Sequence, residues 1–206
     1  MVGRVSGAQL SQLADVVEAH GSDRVRLTPY QKLLVLDVPS ERTESLVDAL
    51  RGIGLEARPS AWRRGTMACT GIEYCKLAIV ETKARGEELV ARLEQRLADF
   101  DADISIHING CPNACARTQV ADIGLRASWW SARTAGTSRV SRCTWAAGWA
   151  WPRADRRFRP QAAGLKTTAD ELPEYVERLA RRYLAGRSEG ETFANWVIRV
   201  DEEALR

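Results

Sequence analysis

Four cysteines stand as two close pairs, Cys69-x5-Cys75 and Cys111-x3-Cys115, with thirty-five residues between the pairs. Four thiolates in this pattern suit either a zinc ion or an iron-sulfur cluster, because both are soft-ligand, roughly tetrahedral sites. Spacing arbitrates between them. Structural zinc usually takes two to four residues between paired cysteines, so that both thiolates reach one small ion. The five residues inside the first pair exceed that. A cubane offers a different iron to each thiolate, so its ligands come from wider loops. Gly71, Gly110 and Pro112 let backbone pass close to a large inorganic body and free amides to hydrogen-bond its sulfurs. The bland alternative is four ordinary buried cysteines, a common fate for this residue.

The elements that must position these thiols are legible in outline. Residues 9–20 repeat Leu10, Leu13, Val16 and Val17 on one helical face, with Gly21 as a stop. Residues 24–28 and 32–38 read as strands about a turn at Pro29 and Tyr30. Ser40 is expected to cap a helix from Glu41 to about Gly52, with Gly54 behind it. Residues 58–64 read as a connector, and 73–84 and 86–100 as helices, the second with Leu89, Leu93 and Leu97 in register. The alternation over 103–108 predicts a strand running directly into Asn109, Gly110 and Cys111, which places the second pair just past a strand end. A further strand is expected over 119–125. Helices are expected over 168–184, with Pro173 in the first turn, and over 191–200.

Composition bounds the function. The chain has 206 residues, 45% apolar and 28% charged, which suits a folded globular protein with a core. No run of about 18 apolar residues is present, and Met1 to Gln12 lacks a secretory pattern, so a cytoplasmic location away from membranes is expected. A net charge of +3 is too small to argue for nucleic acid. Paired cysteines in a reducing compartment read as metal ligands before disulfides.

The residues carry a family resemblance. Met67-Ala68-Cys69-Thr70-Gly71-Ile72-Glu73-Tyr74-Cys75-Lys76, then Asn109-Gly110-Cys111-Pro112-Asn113-Ala114-Cys115-Ala116-Arg117, then Gln119-Val120-Ala121-Asp122-Ile123-Gly124-Leu125, resemble the siroheme-dependent nitrite and sulfite reductases. Arg26-Leu27-Thr28-Pro29-Tyr30-Gln31 is similar to the turn that opens the family's ferredoxin-like half-domain. The likeness covers 1–126 and resumes near Gly164, matching the C-terminal half of such enzymes only. It implies an α+β fold: a ferredoxin-like half-domain over 1–58, then a mixed siroheme and iron-sulfur domain over 59–206. It implies a 4Fe-4S cluster on Cys69, Cys75, Cys111 and Cys115, with Cys115 also the axial thiolate of siroheme and Asn113 and Arg117 beside the cofactor. The implied reaction is six-electron reduction of sulfite to sulfide or nitrite to ammonia, with ferredoxin as donor and a separate N-terminal half as a partner. The other function classes are an inactive or electron-transfer-only cluster fragment and a structural zinc protein.

Residues 127–163 differ in kind. They hold five of the seven tryptophans, seven arginines and one acid, Asp155, with no leucine, isoleucine or lysine. The family has a glycine-rich stretch similar to Gln-Val-His-Leu-Gly-Gly-Gly-Leu-Gly after the strand ending in Ile-Gly-Leu. One encoding of Arg142 to Ala150, read one base earlier behind a C, gives that stretch, and the same offset turns residues 127–131 into a strand-like Gln-Leu-Val-Val. The segment is therefore a candidate for out-of-frame translation, with a return before Gly164, which would make the leftover Cys143 an accident. The rival reading, arginines and indoles as a nucleic-acid platform, lacks a periodic scaffold to present such a face.

Other residues have plainer readings. His107, between Ile106 and Ile108, reads as a surface or core histidine rather than a ligand. Lys76 is either a siroheme-carboxylate partner or a solvated charge, Tyr74 is read as packing, and Trp196 as core with Phe193 and Val197.

Overall fold

The computed structural model describes residues 2–127, 143–145, 167, 168 and 170–205. It divides into two units, 1–60 and 61–206, and no helix of the described residues is long and apolar enough to cross a membrane.

In the first unit, α1 (Gly7–Ala19) begins where Ser6 and Gln9 cap each other: Ser6 Oγ accepts the Gln9 N–H and Gln9 Oε1 accepts the Ser6 N–H. It stops before Gly21, whose φ of 82° few other residues adopt. Strands β1 (Val25–Leu27) and β2 (Leu33–Val35) pair antiparallel, Arg26 opposite Leu34. The Thr28 hydroxyl accepts the N–H groups of Tyr30 and Lys32 and so shapes the turn between them. Helix α2 (Thr43–Gly52) then buries Leu46 and Leu50 against Leu13 and Val17 of α1. Ser40 does not cap this helix. It opens a 3-10 turn, Ser40–Arg42, in which the Arg42 N–H reaches the Pro39 carbonyl, so the approach is closed by backbone.

The second unit is built on a sheet whose described strands run β3 (Thr66–Ala68), β4 (Ile106–Asn109), β5 (Ile123–Ala127) and β6 (Cys143–Trp145). The first three are parallel and the last antiparallel. Parallel neighbours need a crossover of a dozen or more residues. One crossover holds α4 (Lys83–Arg96), which lays Leu89, Val90 and Leu93 into the core. The other, between β4 and β5, holds only turns. The starts of β4 and β5 are braced by Ser105 and Asp122: the Ser105 N–H and hydroxyl donate to Asp122 Oδ2, and the Asp122 N–H donates back to Ser105 Oγ. Helices α5 (Leu172–Gly186) and α6 (Phe193–Arg199) meet through Tyr183, Phe193 and Trp196, whose ring centroids lie 5.3–5.7 Å apart. Pro173 sits in the first turn of α5, and Trp196 is core, as its apolar helix face predicts.

Four further expectations are corrected. The connector 58–64 contains a short helix, α3 (Ala61–Gly65), whose Trp62 is buried 4.3 Å from the Phe100 ring. The strand expected over 119–125 starts later, after a 3-10 turn, Thr118–Val120. The helix expected over 73–84 is absent: 72–80 forms turns, and Lys83 opens α4. Its backbone bonds run partly across the turns, with the Ile72 N–H on the Val80 carbonyl and the Ala78 N–H on the Cys75 carbonyl, and partly to another segment, with the Ile79 N–H on the Gly110 carbonyl. The large apolar side chains of this stretch, Ile72, Tyr74 and Leu77, are exposed. Tyr74, read as packing, is 76% exposed. Apart from Ala127 and the backbone of 143–145, the tryptophan-rich stretch 127–163 lies outside the described residues, as does the side chain of Cys143.

Candidate metal centre

Both cysteine pairs leave the same edge of the sheet. Because β3 and β4 run parallel in the register Ala68 opposite Ile108, Cys69 and Cys111 follow neighbouring carboxyl ends, the edge where open α/β sheets place their ligands. The Cys69 N–H continues the ladder to the Ile108 carbonyl at 2.9 Å. The Gly110 N–H donates to Cys69 Sγ at 3.2 Å, so the approach to the second pair touches the first pair's sulfur directly.

Each loop is shaped by identifiable contacts. In the first, Gly71 has φ 73°, and a Cβ there would stand 2.7 Å from Thr82 Oγ1 and 3.0 Å from Thr82 N. The Cys75 N–H closes on the Gly71 carbonyl at 3.0 Å. The Thr82 hydroxyl donates to the Cys69 carbonyl at 2.7 Å and lies 3.8 Å from Cys69 Sγ. Diverted to that task, it does not cap α4. Glu81 does so instead, accepting the N–H groups of Lys83 and Arg85. Burial opposes the charge on Glu81, yet its backbone N–H partners outweigh that and hold the carboxyl below its usual range. The buried Lys83 ammonium donates to the Ala68 carbonyl at 2.8 Å, one residue before Cys69.

In the second loop, the side chain of Asn109 spans the turn: Nδ2 donates to the Cys111 carbonyl at 3.0 Å and Oδ1 accepts the Ala116 N–H at 2.8 Å. Ala114 and Arg117 have φ of 58° and 55°, left-handed values uncommon for residues with a Cβ. His107 is buried, and its Nδ1 pairs with the Arg117 carbonyl at 3.1 Å. Since a carbonyl only accepts, that nitrogen carries the proton. Burial pushes the imidazole below its ordinary range, and His107 is a core histidine. Arg117 reaches Met67 Sδ at 3.5 Å, while Asn113 and Lys76 are exposed.

The four thiols are free. Cys111 is buried, Cys69 and Cys75 half-buried, and Cys115 exposed. Among the described residues no three His, Cys, Asp or Glu side chains converge on one ion. The donor set, soft thiols at one sheet edge with a backbone N–H on one sulfur and glycines where the chain passes closely, is of the kind that holds zinc or an iron-sulfur cluster. Asn109, Thr82 and Lys83 were not singled out from sequence. For Asn109 the available signal was a polar residue ending a buried strand. For Thr82 and Lys83 the signal was hidden by reading them as the end of a helix.

The chain is 50% identical to sulfite reductase [ferredoxin] 1 of Mycolicibacterium paratuberculosis over the whole chain and 37% of that relative. It is 32% identical to the assimilatory ferredoxin-dependent nitrite reductase of Haloferax mediterranei over 99% of the chain and 34% of that protein. It superposes on the structure of the Mycobacterium tuberculosis NirA protein with TM-score 0.90 at 45% identity, covering 100% of this chain and 38% of that one. The chain thus spans a little over a third of the length of these relatives. The fold is α+β, and residues 1–53 match the nitrite/sulfite reductase ferredoxin-like half domain.

Proposed function

We propose that this chain is the cluster-bearing part of a ferredoxin-dependent reductase that delivers six electrons to sulfite or nitrite at a coupled siroheme and 4Fe-4S centre. Residues 1–58 are its ferredoxin-like half-domain and 59–206 its cofactor domain, and a separate N-terminal half completes the enzyme. Cys69, Cys75, Cys111 and Cys115 are the cluster ligands. The exposed thiol, Cys115, would also ligate the siroheme iron, and Asn113 and Arg117 would help hold the siroheme. When bound, the paired cofactors supply single-electron steps at an anion-binding iron. The chain's own part is to hold the thiolates at one edge, donate the Gly110 N–H to Cys69 Sγ and fix the backbone of Arg117 through His107. The observation that carries the reading is the parallel pairing of β3 with β4, which brings cysteines forty-two positions apart onto neighbouring strand ends.

The test is anaerobic purification after growth with added iron. Iron, acid-labile sulfide and siroheme bands are expected together. A lone broad brown shoulder supports the electron-transfer-only fragment, and a colourless zinc-loaded chain ends the cluster reading. Cys115→Ser is expected to lose both the siroheme and the cluster bands, whereas Cys75→Ser removes a ligand from the cluster alone. Residues 127–163 remain a candidate for out-of-frame translation, and an intact in-frame DNA sequence with other codons would remove that idea.

A further inference from the structure

We propose that Asn109 is a positioning residue that sets the two cysteine loops in one frame, an inference that rests on the cluster reading above. Asn109 ends β4 and is 1% exposed. Its carboxamide bridges the Cys111 carbonyl and the Ala116 N–H, so the segment carrying Cys115 is drawn closed across one side chain. The next residue faces the other pair: the Gly110 N–H meets Cys69 Sγ and the Gly110 carbonyl accepts the Ile79 N–H from the first loop. One dipeptide thus touches both loops. A clamp is needed there because Ala114 and Arg117 hold left-handed backbone angles that they do not favour alone.

Only a group that donates and accepts at once satisfies both ends. The carboxamide does so. Aspartate keeps the shape and the acceptor but loses the donor and sets a carboxylate oxygen against the Cys111 carbonyl. Threonine keeps both functions on one hydroxyl and suits a strand end, whereas the isosteric valine keeps neither.

The experiment reconstitutes the anaerobic chain with ferrous iron and sulfide, then follows iron loss to a chelator and the electron paramagnetic resonance spectrum of the reduced protein. Asn109→Asp and Asn109→Val are expected to lose iron about tenfold faster than the parent chain, the usual scale for disturbing a group that orients a metal ligand, with altered spectra. Asn109→Thr is expected to restore most of the retention and the parental spectrum. If Asn109→Asp does not fold, the threonine and valine pair decides, since the two differ only in hydrogen bonding. Equal iron loss and equal spectra in that pair, beside a parent chain that loads normally, overturn the role of Asn109 alone. A parent chain that takes up neither iron nor sulfide overturns the cluster reading and this inference with it.

Discussion

The Cys69–Cys75 and Cys111–Cys115 loops leave the same sheet edge but are held by opposite means. The longer loop is fixed mainly through main chain, by the Ile72, Cys75, Ala78 and Ile79 N–H groups and a left-handed glycine. Its large apolar side chains, Ile72, Tyr74 and Leu77, are left outside. The shorter loop depends on one buried carboxamide. Main-chain scaffolding spreads the load and tolerates side-chain change except where a Cβ has no room. Side-chain scaffolding concentrates the dependence in one residue.

The comparison can be broken hardest at Asn109. Asn109→Leu strands a buried carbonyl and a buried N–H, each costing about 1–3 kcal/mol, so denaturant titration of the apo chain is expected to show a loss of about 3 kcal/mol. In the other loop, Gly71→Ala imposes a left-handed alanine and a contact on Thr82, for an expected loss of about 2 kcal/mol in the same titration. Thr82→Val removes the hydroxyl's bond to the Cys69 carbonyl and its 3.8 Å contact with Cys69 Sγ, about 1 kcal/mol. Tyr74→Ser, on the exposed side of the first loop, is expected to stay within about 0.5 kcal/mol. A larger loss there would mean that the loop is held by its side chains after all.

Away from both loops, Glu191 serves as a control. Hydrogen bonding from the Arg199 guanidinium, then the Ser188 N–H, holds its carboxyl at about 2 instead of the ordinary 4.5. A folded value below the unfolded one contributes stability that is full above pH 4.5 and is lost as pH falls toward 2. Glu191→Gln is therefore expected to be less stable at neutral pH and to flatten the acid limb of a stability curve between those values, leaving the cysteine loops unchanged.

The pattern of residues, read alone, singled out the four thiols as candidates and reached helices α1, α4 and α5, the apolar face of α6 at Phe193 and Trp196, and the strand feeding Asn109, because period and spacing are local properties of a chain, although Leu10, placed on the apolar face of α1, is exposed. Three errors share a cause. The false helix over 73–84, the outward Tyr74 and the missed Thr82 all belong to a segment that folds as turns, held partly by its own backbone and partly by Gly110 and Cys69 outside it. Local periodicity carries no record of such partners. Only the tertiary structure decided that β3 exists and lies parallel to β4. A three-residue strand earns its hydrogen bonds from a neighbour some forty positions away, and that pairing sets Cys69 beside Gly110, next to the Asn109 side chain that closes the second loop.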